Sequence, residues 1–372
     1  MKELGYRNAV AVSSLPTASA ALAGVTVRLT TDNKPYWCNG SAWVDLSATG
    51  LGGGTPGGGT SSIQWNNGGA FAGAANARIE DDDLLLGYDG ADAATPMTAD
   101  TVKVYAKRFG AAGGRTMVAA KCPSGMDYTL QPAIFRQKVA WWNPPGNATT
   151  VPGVLGLAAP TAIGTATARN VATTNALTRT KRLGYVSGAT AGSLAGHYNT
   201  TAQFSLGSSG SPLGGVFYSC RFGVSDATMQ AAARTFVGLS SSVAAPTNVD
   251  PATLTNCIGL GHTASDTNWY LYFGGSAAQG RISLGTDFPI NNTDLLDITI
   301  WAPPRSTTVY VEVTRINAVG QFVFQGSLGP GTPGTTLPAA TTLLAHRAWR
   351  CNNTAAAAVG IDVSNVYIET DW

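Results

Sequence analysis

Val216-Phe-Tyr-Ser-Cys-Arg-Phe222 alternates residue by residue: Val216, Tyr218, Cys220 and Phe222 fall on one side of an extended chain, and Phe217, Ser219 and Arg221 on the other. Successive side chains of a strand point to opposite faces, so this run predicts a strand with one face on an apolar core. The same rule sets Val309, Val311 and Val313 against Tyr310, Glu312 and Thr314, and it returns at Val359, Ile361 and Val363. From about Trp141 onward, short runs of this kind are separated by Gly, Pro and Asn turns. Such a series over ~200–250 residues predicts a single β-sandwich or jelly roll. One helical signal interrupts it, from Ser225-Asp226 through Phe236, where Ser225 is placed to cap a turn or two.

Upstream, the pattern is that of small hairpins. Val25-Thr-Val-Arg-Leu-Thr30, Tyr36-Trp37-Cys38 and Ala42-Trp43-Val44 are separated by Asp32-Asn33-Lys34 and by Asn39-Gly40. This predicts a three-stranded meander, with Asn39-Gly40 suited to a type I′ turn. Gly50-Leu-Gly-Gly-Gly-Thr-Pro-Gly-Gly-Gly-Thr60 cannot hold a helix or a packed strand, because glycine loses the most backbone entropy on ordering. It reads as a linker or as a strip threaded between subunits. Ile63-Gln-Trp65-Asn66-Asn67-Gly68 is a second hairpin signal, Val102 to Phe109 is strand-like, and Pro123, Pro132, Pro144 and Pro145 mark a loop-rich connection. The expected fold is mostly β. Its parts are an N-terminal meander (1–48), a Gly-rich linker (49–62), a second hairpin module with a connecting region (63–140) and a C-terminal sandwich (141–372).

Composition narrows the function. The chain has 372 residues, 45 of them Gly, yet only 12% are charged, about half the share of an ordinary soluble domain. Its formal charge is +2 and its Lys and Arg are scattered, which excludes the basic footprint of a nucleic-acid binder. Met1-Lys-Glu-Leu-Gly5 opens without an apolar export segment, and no stretch approaches the ~20 apolar residues of a membrane helix. Synthesis in a cytoplasm without membrane insertion is the expectation. Cys38, Cys122, Cys220, Cys257 and Cys351 are odd in number and far apart, so buried free thiols are expected rather than disulfides or zinc.

No catalytic constellation stands out. His197, His262 and His346 lack any metal-binding spacing, Ser208-Ser-Gly-Ser211 fails the nucleophile-elbow pattern, and Asp81-Asp-Asp83 lacks the spacing of a calcium loop. No cofactor and no metal are expected. A glycan-cleaving enzyme needs two carboxylates across a cleft. Asp266, Asp287, Asp294, Asp297 and Glu312 are candidates for such a pair, and most lie in turn contexts. Sugar binding is better motivated, because a neutral glycan is held by planar amides and carboxylates with an aromatic face against its C–H side, in a site that needs few charges. Asp266, Asn268, Trp269, Tyr270 and Tyr272 bring those types together at a turn-to-strand junction, with Trp301 and Trp349 as further aromatic candidates. Each of these aromatics is also a natural core residue, and alternation sends one of Trp269 and Tyr270 inward.

Leu15-Pro-Thr-Ala-Ser-Ala-Ala-Leu-Ala-Gly24, running into Leu29-Thr-Thr-Asp-Asn-Lys34 and Asn39-Gly-Ser-Ala-Trp43-Val44, resembles a short module of tailed-bacteriophage fibre and other virion proteins. Ile63 to Gly73 resembles another. Pro123-Ser-Gly-Met-Asp127, Leu130-Gln-Pro-Ala133, Phe236-Val-Gly-Leu239, Ile258-Gly-Leu-Gly261 and Ile282-Ser-Leu-Gly285 resemble a phage structural family whose last domain is a concanavalin-like sandwich. The resemblance implies a non-enzymatic fibre or spike, a homotrimer in the virion. Its N-terminal region would bind other virion proteins of tail, collar or capsid, and its sandwich would meet host-surface polysaccharide. The alternatives are a capsid or collar decoration (head fibre) protein without a receptor, and a capsular polysaccharide depolymerase.

Overall fold

The computed structural model describes residues 10–46, 62–67, 70–80, 83–86, 103–109, 115–121, 127–129, 138–153, 155–156, 158–207, 214–278, 280–303, 307–329 and 334–370. The chain divides into two units, Met1–Asp89 and Gly90–Trp372.

The first unit holds two small sheets. Strands β1 (Val10–Val12), β2 (Thr26–Leu29), β3 (Lys34–Cys38) and β4 (Trp43–Asp45) lie in that order in one sheet. The meander is therefore present, with an extra strand, β1, running parallel to β2. Asn33 adopts a left-handed φ of 61° in the first turn. The second turn departs from type I′: Cys38 pairs with Trp43 across four residues. The Asn39 side chain accepts from the backbone N–H of Ser41 and Ala42 at 2.9 and 2.8 Å. Asn39 thus satisfies the loop's donors through its side chain, which a two-residue turn would not require. Only Val27 and Cys38 are buried among the described apolar residues of this sheet, and Trp37 is 39% exposed. Strands β5 (Ser62–Asn67), β6 (Ala70–Glu80) and β7 (Asp83–Leu86) form the other sheet; the second hairpin is present, but Asn67, expected with Gly68 at its tip, is instead the last residue of β5 and pairs with Ala70. The Gly50–Thr60 strip, Asp81-Asp82 and Ser208–Ser211 lie outside the described residues, as does Cys122.

The second unit opens with β8 (Lys103–Phe109), β9 (Arg115–Lys121) and β10 (Asp127–Thr129) in a three-stranded sheet. The sandwich comes next as β11 (Lys138–Trp142), β12 (Thr161–Ile163), β13 (Thr165–Arg169), β14 (Arg182–Val186), β15 (Leu194–Tyr198), β16 (Val216–Val224), β17 (Arg234–Ser240), β18 (Cys257–His262) and β19 (Tyr270–Gly274). It continues with β20 (Ile282–Ser283), β21 (Leu295–Ala302), β22 (Val309–Ile316), β23 (Gln321–Leu328), β24 (Ala345–Cys351) and β25 (Gly360–Thr370). One sheet has eight strands in the order β13-β14-β25-β16-β21-β22-β23, with β11 also paired to β25; the facing sheet has seven, in the order β12-β15-β24-β17-β18-β19-β20. This is the mostly β sandwich that the alternating runs predicted. Val216, Tyr218, Cys220 and Phe222 are fully buried, as are Val311, Val313, Ile361 and Val363, and all belong to one core shared by both sheets.

The expected helix at Ser225–Phe236 is absent: 225–233 is a chain of bends and turns, and Phe236 lies in β17. Asp226 explains the difference. Its carboxylate accepts from the backbone N–H of Gln230 and Gly360 and from the Arg350 guanidinium at 2.9 and 2.6 Å. A buried carboxylate answering a buried arginine from the middle of the facing sheet fixes this segment in a form that helix propensity alone would not choose.

The outer face of the seven-stranded sheet carries a second apolar cluster of Phe236, Cys257, Tyr272, Trp349 and Cys351. Gly238 and Gly259 lie directly opposite one another there. A Cβ on Gly259 would sit 2.7 Å from the Phe236 ring and 2.5 Å from the Val237 carbonyl oxygen. We therefore expect Gly259→Ala to lower stability by about 1–3 kcal/mol, the usual cost of an overpacked site, measured as a shift in the denaturant midpoint. Cys38, Cys220, Cys257 and Cys351 are free and buried, and burial pushes the thiols of Cys220 and Cys257 up to about 12. Among the described residues no helix is long and apolar enough to cross a membrane.

Candidate functional site

Trp141 and Trp142 are neighbours in a strand, so one must face inward and one outward. Trp142 is 2% exposed and packs in the core, whereas Trp141 is 48% exposed on the outer face of the eight-stranded sheet. The surroundings of Trp141 are set by the way β25 changes partners. Along one edge β25 pairs with β11 from Val366 to Thr370 and with β14 from Gly360 to Val363. On its other edge it pairs with β16, and the register shifts at this same place, with Arg221 opposite Asn365 and Phe222 opposite Val363. Ser364 is the surplus residue of a β-bulge, a device that re-aims side chains. Ser364 and Asn365, consecutive in sequence, consequently line the same depression.

That depression has a volume of about 320 Å³ and is walled by Trp141, Asn143, Lys181, Arg221, Asp297 and Asn365, among others. Its parts are held firmly. The Trp141 indole N–H donates to the Asn365 side-chain oxygen at 2.8 Å. Arg221 donates twice to Asp297, both bonds at 2.6 Å, in a fork-to-carboxylate pair between adjacent strands. The Ser364 hydroxyl donates to the Lys181 carbonyl at 2.6 Å, tying the start of β14 to the bulge. The result is a shaped polar groove with one open indole face. Its size falls in the ~300–1,000 Å³ range of small-molecule sites. Chemically it is able to present an aromatic surface to the C–H face of a ring and amide and charged groups to that ring's hydroxyls.

The residues singled out from the sequence are arranged differently. Trp269 is buried in the sandwich core, edge-on to Phe222 at 5.6 Å and to His262 at 5.2 Å. Tyr272 is buried on the outer side of the seven-stranded sheet, where burial pushes its hydroxyl up to about 12. Asp266 and Tyr270 do come together, but around Arg281. The Arg281 guanidinium bonds the Asp266 carboxylate, lies 3.9 Å from the Tyr270 ring centroid and reaches the Tyr272 hydroxyl at 3.3 Å. Asn268 bridges to Pro289 through the backbone. The one aromatic face left at this junction is thus taken by an arginine from the same chain. Trp349 is buried beside Phe236, and Trp301 packs with Phe217 and Tyr310 beneath Met117 of β9. The signal that would have found the groove was Trp141-Trp142 itself, since a tandem pair of tryptophans in a strand sends one outward.

Among the acids, Asp266, Asp294 and Asp297 each face an arginine, and Glu312 accepts from Gln325 at 2.9 Å. The histidines lie inside. Tyr185 Oη, His197 Nδ1, His197 Nε2, His346 Nε2, His346 Nδ1 and Tyr218 Oη form a chain of three contacts of 2.9, 2.8 and 3.0 Å joining the two sheets. Burial holds His197 down to about 3 and His346 well below its ordinary value. His262, held by burial and by the adjacent Arg350 charge, is likewise lowered to about 3. Among the described residues no group of three His, Cys, Asp or Glu is placed to hold a metal ion.

No family model matches the chain, and no curated protein matches it. Among solved structures it is similar to peanut lectin with a nine-residue peptide, at 10% identity, 63% of this chain, 97% of that chain and a TM-score of 0.41. It is also similar to lectin UEA-II complexed with galactose, at 11% identity, 64% of this chain, 100% of that chain and a TM-score of 0.40. A protein of unknown function from Shewanella oneidensis MR-1 matches at 12% identity, 65% of this chain, 90% of that chain and a TM-score of 0.33. Scores this low carry no argument, and the sandwich rests on its own strand pairing.

Proposed function

We propose that this chain is a non-enzymatic, saccharide-binding part of a bacteriophage fibre or spike. In this reading the N-terminal sheet docks to the particle and the sandwich takes host-surface glycan in the Trp141 groove. The observation that carries the reading is the groove itself: a half-exposed indole whose N–H is fixed by Asn365, set beside a bidentate Arg221–Asp297 pair. An exposed tryptophan held in one orientation offers a sugar ring a flat surface at low entropic cost. The attachment role is supported by the N-terminal sheet. With Val27 and Cys38 as its buried apolar residues and Val10 and Trp37 on its surface, it has little core of its own and gains from a partner's surface. The module resemblance of residues 15–44 points the same way. Several copies on one particle would turn weak contacts into firm attachment through effective concentration.

The test is saccharide binding by the full chain, measured by NMR or calorimetry across a panel of bacterial surface oligosaccharides. Trp141→Ala is expected to weaken binding by about tenfold or more, since aromatic contacts are worth ~1–3 kcal/mol in the comparable case of base stacking. Because Trp141 faces out of the core, the melting temperature should change little. Undiminished binding by the variant would move the site elsewhere. Absence of any binding by folded protein would leave the particle-decoration role in front.

A further inference from the structure

The groove's lining also bears on the class of saccharide, a point that rests on the saccharide-binding reading above. Two cationic side chains line it, but only one is neutralised. Arg221 is matched by Asp297 through two hydrogen bonds, so that pair contributes shape and little net charge. Lys181 is exposed and has no ion-pair partner among the described residues. Its aliphatic stem passes over Gly146, where a Cβ would meet the Lys181 Cγ at 3.2 Å. The backbone beside its charge is tied down by the Ser364 bond to its own carbonyl.

The Asn365 oxygen accepts from the Trp141 indole, and its amide NH₂ is a donor to offer a ligand. The groove therefore carries a single unmatched positive charge beside the indole and that amide. A neutral hexose leaves the charge unanswered. A sugar bearing a carboxylate uses it fully: the ring rests on Trp141 while the carboxylate takes the Lys181 ammonium and the Asn365 NH₂. We infer that the groove selects acidic saccharides, those with a uronate-type carboxylate, and that Lys181 is the residue that sets this preference.

The experiment titrates the full-length protein with a hyaluronan tetrasaccharide and with tetragalacturonate, each alongside its carboxyl-reduced neutral counterpart, at low and high NaCl. Wild-type protein is expected to bind the acidic forms roughly 3- to 10-fold more tightly, since partly exposed charge pairs are worth about 0.2–1 kcal/mol and charge-assisted hydrogen bonds somewhat more. That margin should shrink as salt rises. Lys181→Gln should abolish the margin, Lys181→Arg should keep it, and Trp141→Ala should weaken both forms. Equal binding of acidic and reduced sugars, with no effect of Lys181→Gln, would overturn the inference while leaving the saccharide reading intact. Failure of folded wild-type protein to bind either form would overturn both.

Discussion

Replacing Arg350 with methionine is expected to cost about 3–5 kcal/mol of stability, enough to leave much of the protein unfolded at modest temperature. Arg350 and Asp226 are both at 0% side-chain exposure and meet at 2.6 Å. Removing one member of a buried pair strands the other charge, which is where the cost arises. The guanidinium also donates to the Thr235 hydroxyl and to His262 Nε2, both at 2.9 Å, so the substitution unravels a network between the sheets. Chemical denaturation at neutral pH measures the loss. Adding Asp226→Leu should recover only part of it, because Asp226 also accepts from the backbone N–H of Gln230 and Gly360 and leucine leaves those donors unpaired. A loss under about 1 kcal/mol in the single variant would show that the pair does not tie the sheets together.

Acid is expected to destabilise the sandwich steadily below about pH 6.5. His197 and His262 are held at about 3 in the fold, against roughly 6.5 in an open chain. Since their folded values are depressed, the unfolded chain takes up protons first as pH falls. Their contribution to stability is complete above about pH 6.5, declines through the acid range and is exhausted near pH 3. Each histidine costs about 1.4 kcal/mol per pH unit within that window, or about 2 kcal/mol each by pH 5. His346 adds in the same direction. Denaturation midpoints at pH 7.5, 6 and 5 give the slope directly. A flat profile from pH 7.5 to 5 would mean that the three rings are more open to water than their packing shows.

Much of the architecture was legible because period-two alternation is a local property. Val216 to Phe222 and Val309 to Val313 carry their faces in their own sequence, and both are paired as that pattern requires. Strand β24 is the counterexample. Ala345-His-Arg-Ala-Trp-Arg-Cys351 is buried at every position, yet its two arginines and its histidine hide the signal. They are tolerated only because Asp226, the Ser242 and Ala244 carbonyls and Tyr218 meet them from distant parts of the chain. Asp226 misled in the same way, since a carboxylate near a serine looks like a helix start until its arginine is known. The groove was illegible for a related reason. Trp141, Lys181, Arg221, Asp297 and Asn365 are brought together by strand register alone, whereas Asp266 to Tyr272 are adjacent in sequence and drew the expectation to themselves. What they gather around is Arg281, which that stretch does not contain.

The surplus residue at Ser364 has a consequence for how such a protein is able to change. Val363 faces Phe222 and Asn365 faces Arg221, so the ladder on either side of Ser364 would join in phase if that residue were deleted. Elsewhere in a strand, gaining or losing one residue turns every following side chain inside out. Here the length of the wall can vary by one while the core keeps its register. Evolution is thus given a dial: the mouth of the groove is free to be recut without the sandwich having to be reinvented.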